Sequence, residues 1–583
     1  MRDRDEGEAA VTDVPPFRLR AVLFDFDGTL THPGALDFGA VKRAVGCPPD
    51  EFVLEWILAL PEGEERAAAT RTLEAFELAA ADASTPNEGA EELVRWLRAE
   101  GLKVGVLTRN GRPAVERALR RFGDLSAADF DVVVTRDDDA LAPKPAPDGV
   151  LYAAAIMRVA PQEVLVVGDF LLDMRAGRAA GAVTAYLANH GAVDGGEADE
   201  PDADDCDFVV GRLPDLRDVV RLGLPLPQGK LPNDLLAGFL DGLAGGDEAV
   251  VVPPAIGEDV AAIELRHAEL LVAHGDPITL GGSRPGTAAV LVNTNDLAAA
   301  GADPRWLLAT VLLPPETTPS QALSVLGELA DAAGHAGVTL VGGHTELTDA
   351  VTRPVLSLAA FGTVSRDELK DKRSARPGDR VLLTKRLAME GTALLADELG
   401  ERLRALGMSP DELDACRALA HETSVSEEAR IARRFSGVHA MHDVTEGGLA
   451  TALRELAAAT GRGVLVHRER IPVSAATRRV CDLLDADPLG LIASGSLLIC
   501  CDPTAAPELR AALATADMPA TDIGELTDEA DAVVALEHGR PASWPAFVTD
   551  EAARLIADGA PRAPQRDPPG ISASPHRGER ARR

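Results

Sequence analysis

Two aspartates two residues apart, Asp25 and Asp27, follow directly on the apolar run Ala21–Phe24 and lead into Gly28-Thr29. If that run is a strand, its period of two points both carboxylates the same way off the strand end. At about 4 Å they would repel by roughly 4 kcal/mol at an intermediate dielectric, and a divalent cation relieves that repulsion. Hard oxygen donors so close in sequence suit Mg²⁺, which takes one or two carboxylates and leaves room for water and substrate phosphate. Three later apolar runs end in residues that complement this chemistry. Lys103–Leu107 ends at Thr108, Arg109 and Asn110, and a threonine hydroxyl can hydrogen-bond a phosphoryl oxygen without adding charge. The run 131–134 leads to APKPAP, where prolines hold Lys144, one of seven lysines in the chain, as a counter-charge. The run 163–168 meets Asp169 and, four residues on, Asp173. Asp148 reads as the cap of the following helix.

These residues need strand ends to stand on. The alternation of apolar runs with helical patterns predicts a doubly wound, mostly parallel α/β sheet, with the site outside the carboxyl ends of its strands. Residues 37–81 carry apolar residues only at helical spacing, which predicts a small helical insertion. The four motifs, in this order, resemble the haloacid dehalogenase (HAD) superfamily of phosphatases. The resemblance implies Asp25 as nucleophile, Asp27 as general acid/base, Thr108 and Lys144 on the phosphoryl charge, and Asp25, Asp27, Asp169 and Asp173 around Mg²⁺. It also implies a cap, at about residues 33–86, that closes over the site and selects the substrate.

The 583 residues exceed any single core, and the usual domain size predicts three or four domains. A formal charge of -35 argues against sequence-independent nucleic-acid binding, which needs clustered Lys and Arg. The six cysteines are scattered without metal or disulfide spacing, as in a reducing cytoplasm. No apolar run reaches the roughly 18 residues of a membrane span. Residues 1–16 read as a loose leader and 562–583, rich in Pro and Arg, as a disordered tail.

The hydrolase-like pattern is expected to run over residues 17–222, and the aperiodic, proline-bearing stretch 223–228 as a linker. A new series then begins. Glu258 and Asp259 sit between a Gly turn and a strand, and the strand 269–273 ends at His274-Gly275-Asp276-Pro277. A helix of small residues carries Asn293, Asn295 and Asp296. Next come Gly342-Gly343-His344-Thr345-Glu346, His442-Asp443 before Thr445-Glu446-Gly447-Gly448, and GSLLICC, which reads as a strand. Several acids cannot meet a polyphosphate directly, so they must act through divalent cations. The series is similar to the superfamily of aminoimidazole ribonucleotide (AIR) synthetase, selenophosphate synthetase, thiamine-monophosphate kinase and HypE, and most to AIR synthase-related, HypE-like (PurM-like) proteins.

That second resemblance implies an α+β module of two lobes, residues 229–365 and 377–540, that pairs into a homodimer and binds ATP. Asp259, Asp276 and Asp296 would hold Mg²⁺ and the nucleotide phosphates. Asn295, Gly342, Gly343, His344, Glu346 and Asp443 would lie beside them. In HypE the acceptor is a C-terminal cysteine; this sequence ends RGERARR, and Cys500 and Cys501 fall in the predicted strand, so carbamoyl dehydration is not expected of this half. The function expected of the whole is a Mg²⁺-dependent phosphatase for a small phosphorylated metabolite, fused to an ATP-binding module. The alternative is a nucleotide-binding regulatory or metallo-enzyme assembly protein without ATP turnover. A phosphotransferase, phosphonate or haloacid enzyme fits the Asp25, Thr108 and Lys144 set less well. No nucleic-acid or membrane partner is expected.

Overall fold

The computed structural model describes residues 15–138, 141–189, 205–243, 247–254, 262–266, 269–279, 284–530 and 532–559. Asp259, the tail 562–583, and most of the leader fall outside them. The chain divides into two compact units, residues 1–244 with 311–328 and 344–354, and residues 245–310, 329–343 and 355–583.

The first unit holds a six-stranded parallel sheet of β1 (Ala21–Phe24), β2 (Lys103–Leu107), β3 (Val132–Val134), β4 (Val164–Gly168), β5 (Val183–Leu187) and β6 (Phe208–Val210), in the order β3-β2-β1-β4-β5-β6. Strands β1 and β4 are buried along their whole length, which explains their unbroken apolar sequence. From β1 the chain passes to β2 on one side and later to β4 on the other, so a crevice opens at the carboxyl ends of these three strands.

Between β1 and β2 lie α1 (Phe38–Val45), α2 (Val53–Ala59) and α3 (Glu64–Ala83), with no strand among them, and then α4 (Ala90–Ala99). The Asp37 carboxylate caps α1 by accepting from Ala40 N at 2.8 Å. Val41, Cys47, Val53, Ile57, Ala69 and Leu73 give this helical insertion a small core of its own, separate from the core beneath the sheet. The remaining helices of this part are α5 (Arg112–Leu119), α6 (Asp148–Met157), α7 (Leu171–Ala180) and α8 (Leu216–Leu222). Asp148 corrects its expected role: Pro147 occupies the capping position, and no side chain caps α6. Asp148 is instead the first helical residue, where its charge still suits the helix dipole.

After β7 (Gly229–Lys230) and α9 (Asn233–Gly242) come β8 (Val250–Val252), β9 (Ala262–Ile263), β10 (Glu269–Ile278), α10 (Pro285–Ala299), β11 (Asp303–Leu313), α11 (Pro319–His335), β12 (Thr339–Leu347) and β13 (Val355–Ser365). Five of these strands form a sheet in the order β10-β13-β11-β12-β7. Strand β10 runs five residues past its expected end at Ala273, because β13 pairs with it antiparallel from Glu269↔Ser365 to Ile278↔Leu356. Asp276 therefore stands within a strand. The Gly342–Glu346 segment lies inside β12.

The C-terminal lobe is built on β14 (Arg380–Thr384), β15 (Val438–Val444), β16 (Gly463–His467), β17 (Ser496–Cys501), β18 (Ala520–Thr527), β19 (Val533–Glu537) and β20 (Arg540–Ala542), in the order β15-β17-β14-β18-β16-β19-β20. Only β16 and β19 pair in parallel. Among the described residues no helix is long and apolar enough to cross a membrane.

Candidate functional site

In the first unit, Asp25 leaves the end of β1 and Asp169 and Asp173 leave β4, the latter on the first turn of α7. One oxygen from each of these three carboxylates lies within 4.8 Å of the others. Lys144, only 5% exposed, drives its ammonium between them. Its Nζ donates to Asp25 Oδ1, to Asp173 Oδ1 and, at 3.0 Å, to the carbonyl of Leu107. Burial opposes that charge, but Asp173 and Asp25 outweigh it and the Lys144 pKa is raised. Burial pushes the Asp169 carboxyl well up, and the charges of Asp25 and Asp173 push it further. Asp173 rises too, chiefly through burial, against the pull of Lys144.

Glycine makes this convergence possible. Gly28 has a φ of +75°, and a Cβ on it would come within 1.9 Å of Asp169 Oδ2. A Cβ on Gly168 would meet Asp173 Cγ at 2.4 Å. The acids are thus packed into spaces that only glycine leaves. An all-oxygen set that stays net negative after Lys144 is counted fits a hard divalent cation.

Asp27 is a correction to the expected ligand set. Its carboxylate is not in the three-acid group; Oδ2 instead accepts from Asn110 Nδ2 at 2.6 Å. Burial, then the charge of Asp25, raises its pKa to about 7. A carboxyl that keeps its proton near neutral pH can act as an acid. Thr108, 5% exposed, stands at the end of β2, and its Oγ1 accepts from Asn110 N at 3.2 Å.

Three residues of this site carried no assigned role in the sequence. Asn110 orients Asp27. Asn87 Nδ2 donates to the carbonyl of Thr29 at 2.9 Å, and Asn189 Nδ2 to that of Gly28 at 2.7 Å, so both brace the aspartate turn from distant loops. Isolated asparagines give no periodic or spacing signal.

The helical insertion meets residues beside the site. Arg109 pairs with Glu55 of α2, and its Cζ lies 5.8 Å from the centroid of the Phe52 ring. Phe52 meets Phe170, the residue after Asp169, edge to face at 6.1 Å. Deeper in, Glu77 of α3 is 4% exposed, pairs with Arg136 (Nη2 to Oε2 at 2.8 Å) and accepts from Gly111 N at 3.2 Å.

In the second unit a second acidic group forms. Asp276 and Asn293 are tied, Asp276 N donating to Asn293 Oδ1 at 3.0 Å. Asp296 lies 3.1 Å from His274 Nε2, and burial, then Asp276, raises its carboxyl to about 6. Asp443 of β15 is raised by burial and then by Asp296, and its Oδ2 has no hydrogen-bond partner among the described residues. That orphaned oxygen fits a cation site. The sequence missed Lys372, His442's partner: Lys372 Nζ donates to His442 Nδ1 at 2.9 Å, while His442 Nε2 faces Glu455 at 3.2 Å.

Asn295 corrects another expectation. It is fully buried, with Oδ1 accepting from Val425 N at 2.9 Å and Nδ2 donating to Thr423 O at 2.9 Å, so its amide is spent on the backbone. His344 and Glu346, in β12, pair with each other at 3.0 Å. Gly343 packs so closely that a Cβ would meet Ala309 O at 2.1 Å, which makes it a strand-packing residue. Cys500 and Cys501 are fully buried in β17; burial raises both thiols, Cys501 to about 12, and leaves little thiolate.

The model of the haloacid dehalogenase-like hydrolase family matches residues 19–181. Those of the N- and C-terminal domains of AIR synthase related protein match residues 229–364 and 376–537. An uncharacterised hydrolase of Saccharomyces cerevisiae is 35% identical over 173 residues, 30% of this chain and 78% of its own length. Carbamoyl dehydratase HypE of Escherichia coli is 30% identical over 271 residues, 44% of this chain and 76% of its own. The chain belongs to both families. It is a HAD-like hydrolase fused to a HypE-like, AIR synthase-related module. The crystal structure of E. coli HypE covers 55% of this chain and 98% of its own, at 24% identity and a TM-score of 0.48. The HAD-like match contains the site acids Asp25, Asp169 and Asp173. The AIR synthase-related matches contain Asp276, Asp296 and Asp443.

Proposed function

We propose that the HAD-like part is a Mg²⁺-dependent phosphatase for a small phosphorylated metabolite. The observation that carries this is the meeting of Asp25, Asp169 and Asp173 oxygens within 4.8 Å, with Lys144 among them. Asp25 attacks phosphorus in line, forming an aspartyl-phosphate as the bond to the leaving oxygen breaks, and Asp27 gives that oxygen its proton. Asp27 then takes a proton from water, which attacks phosphorus and releases phosphate and Asp25. Lys144 and the Thr108 hydroxyl bear on the phosphoryl oxygens. Asp25, Asp169 and Asp173 would hold Mg²⁺, which supplies charge neutralisation for the transferring group. Phosphate release by the full chain from a panel of monoesters tests the reading. Turnover should fall by about 100-fold or more when EDTA replaces Mg²⁺, and EDTA-insensitive turnover rejects it.

The HypE-like part, on the same reading, binds Mg-ATP through Asp276 and Asp296 with Asp443 opposite. Support comes from the mutually repelling carboxylates, Asp443 buried and Asp296 partly so. Titration calorimetry on the full chain should show binding that weakens by about tenfold or more in Asp296→Ala, the loss expected for a charge-assisted contact. Unchanged binding in that variant removes the assignment. The proposal includes pairing of two copies through this part, so light scattering on the same sample should return twice the chain mass.

A further inference from the structure

The inner site contains four acids, Asp25, Asp27, Asp169 and Asp173, against one ammonium, Lys144. Even with a divalent cation bound, that set carries no excess positive charge, so none is left to take up a second anion on the substrate. A further cation at the mouth is Arg109, which faces Glu55 and the Phe52 ring. It directly precedes Asn110, which holds Asp27, the group that protonates the leaving oxygen. A group carried by the leaving oxygen would lie on the Asp27 side, near the segment Thr108–Asn110 that bears Arg109.

The partners of the nearby guanidinium groups differ in kind. Arg136 is locked, since Glu77 is buried and also accepts from Gly111 N. Arg109 faces Glu55, whose side chain is 42% exposed and which sits on the helical insertion. Arg109 itself is 22% exposed, but its partner faces solvent, and a solvent-facing carboxylate is exchanged more readily than the buried Glu77. Around Arg109 stand Phe52 and Phe170, 46% and 49% exposed, edge to face, with the guanidinium over the Phe52 ring. Half-exposed aromatic rings beside an exchangeable guanidinium make a site for a flat group bearing an anion.

We propose that Arg109 is a specificity-determining residue that takes a carboxylate or second phosphate on the leaving group, releasing Glu55, while Phe52 and Phe170 pack the part between. The substrate class is a phosphate monoester with a second negative charge. This rests on the phosphatase reading, and the test separates the two. Phenyl phosphate and its 3- and 4-carboxy derivatives are compared on the full chain with Mg²⁺. The better carboxylated ester should be favoured in kcat/KM by about 30-fold, or about 2 kcal/mol, mostly through KM. Arg109→Gln should bring that ratio below about threefold and Arg109→Lys restore part of it, as a point charge replaces the fork. A ratio near one in the parent, or a ratio unchanged in Arg109→Gln, overturns the proposal. If no ester is hydrolysed, the phosphatase reading falls, and the matching phosphonates still decide Arg109 by calorimetry. Tighter binding of the carboxylated phosphonate, lost in Arg109→Gln, supports it; equal binding of the pair overturns it.

Discussion

Asp25→Asn is expected to lower phosphatase turnover by at least about 10³-fold, since removing a covalent nucleophile from other hydrolases costs up to about 10⁶. The amide keeps the size of the side chain but cannot displace a phosphate ester. Folding should not suffer. Asp25 is one of three acids whose oxygens crowd within 4.8 Å, and neutralising it removes repulsion while Lys144 keeps Asp173 as its partner. The melting temperature without divalent cation should therefore stay level or rise. A variant that is folded and still turns over at more than about a tenth of the parent rate would show that another group attacks phosphorus.

Lys144→Met carries the largest expected cost in stability. The ammonium is buried and holds Asp25, Asp173 and the Leu107 carbonyl at once. Methionine fills much of the same volume but leaves the carboxylates facing each other without a cation. Breaking a buried pair in this way costs about 3–5 kcal/mol. For a domain of this size that lowers the melting temperature by roughly 6–20 °C. Scanning calorimetry with and without Mg²⁺ checks it. The deficit should be largest without metal, because a bound cation replaces part of the lost charge. A transition at the parent temperature in both conditions would mean that Lys144 is not what holds these acids together.

The strand ends were legible because the signal is local. A buried parallel strand must be apolar throughout and must stop where charge begins, so β1 and β2 fall where the apolar runs do, and Thr108 and Asp169 follow their strands directly. The helical insertion was legible for a similar reason, since residues 37–81 offer only helical spacing. Strand β10 was read five residues too short because its last residues, His274 to Ile278, are held by partners on β13 that are about 80 positions away in sequence.

By itself the sequence determined the two families, the order of their motifs and the residue types at each strand end, because apolar periodicity and motif spacing are properties of neighbouring residues. Only the tertiary structure decided what those residues do together. It separated Asp27 from the three-acid group and gave it to Asn110, spent Asn295 on the backbone of Thr423 and Val425, and brought Lys372 to His442. It also set Glu55 and Phe52 of the helical insertion against Arg109 and Phe170 of the core. Hydrogen bonding and burial act between groups that the chain separates by tens of residues, and they determine which carboxylate keeps a proton and which arginine can exchange its partner.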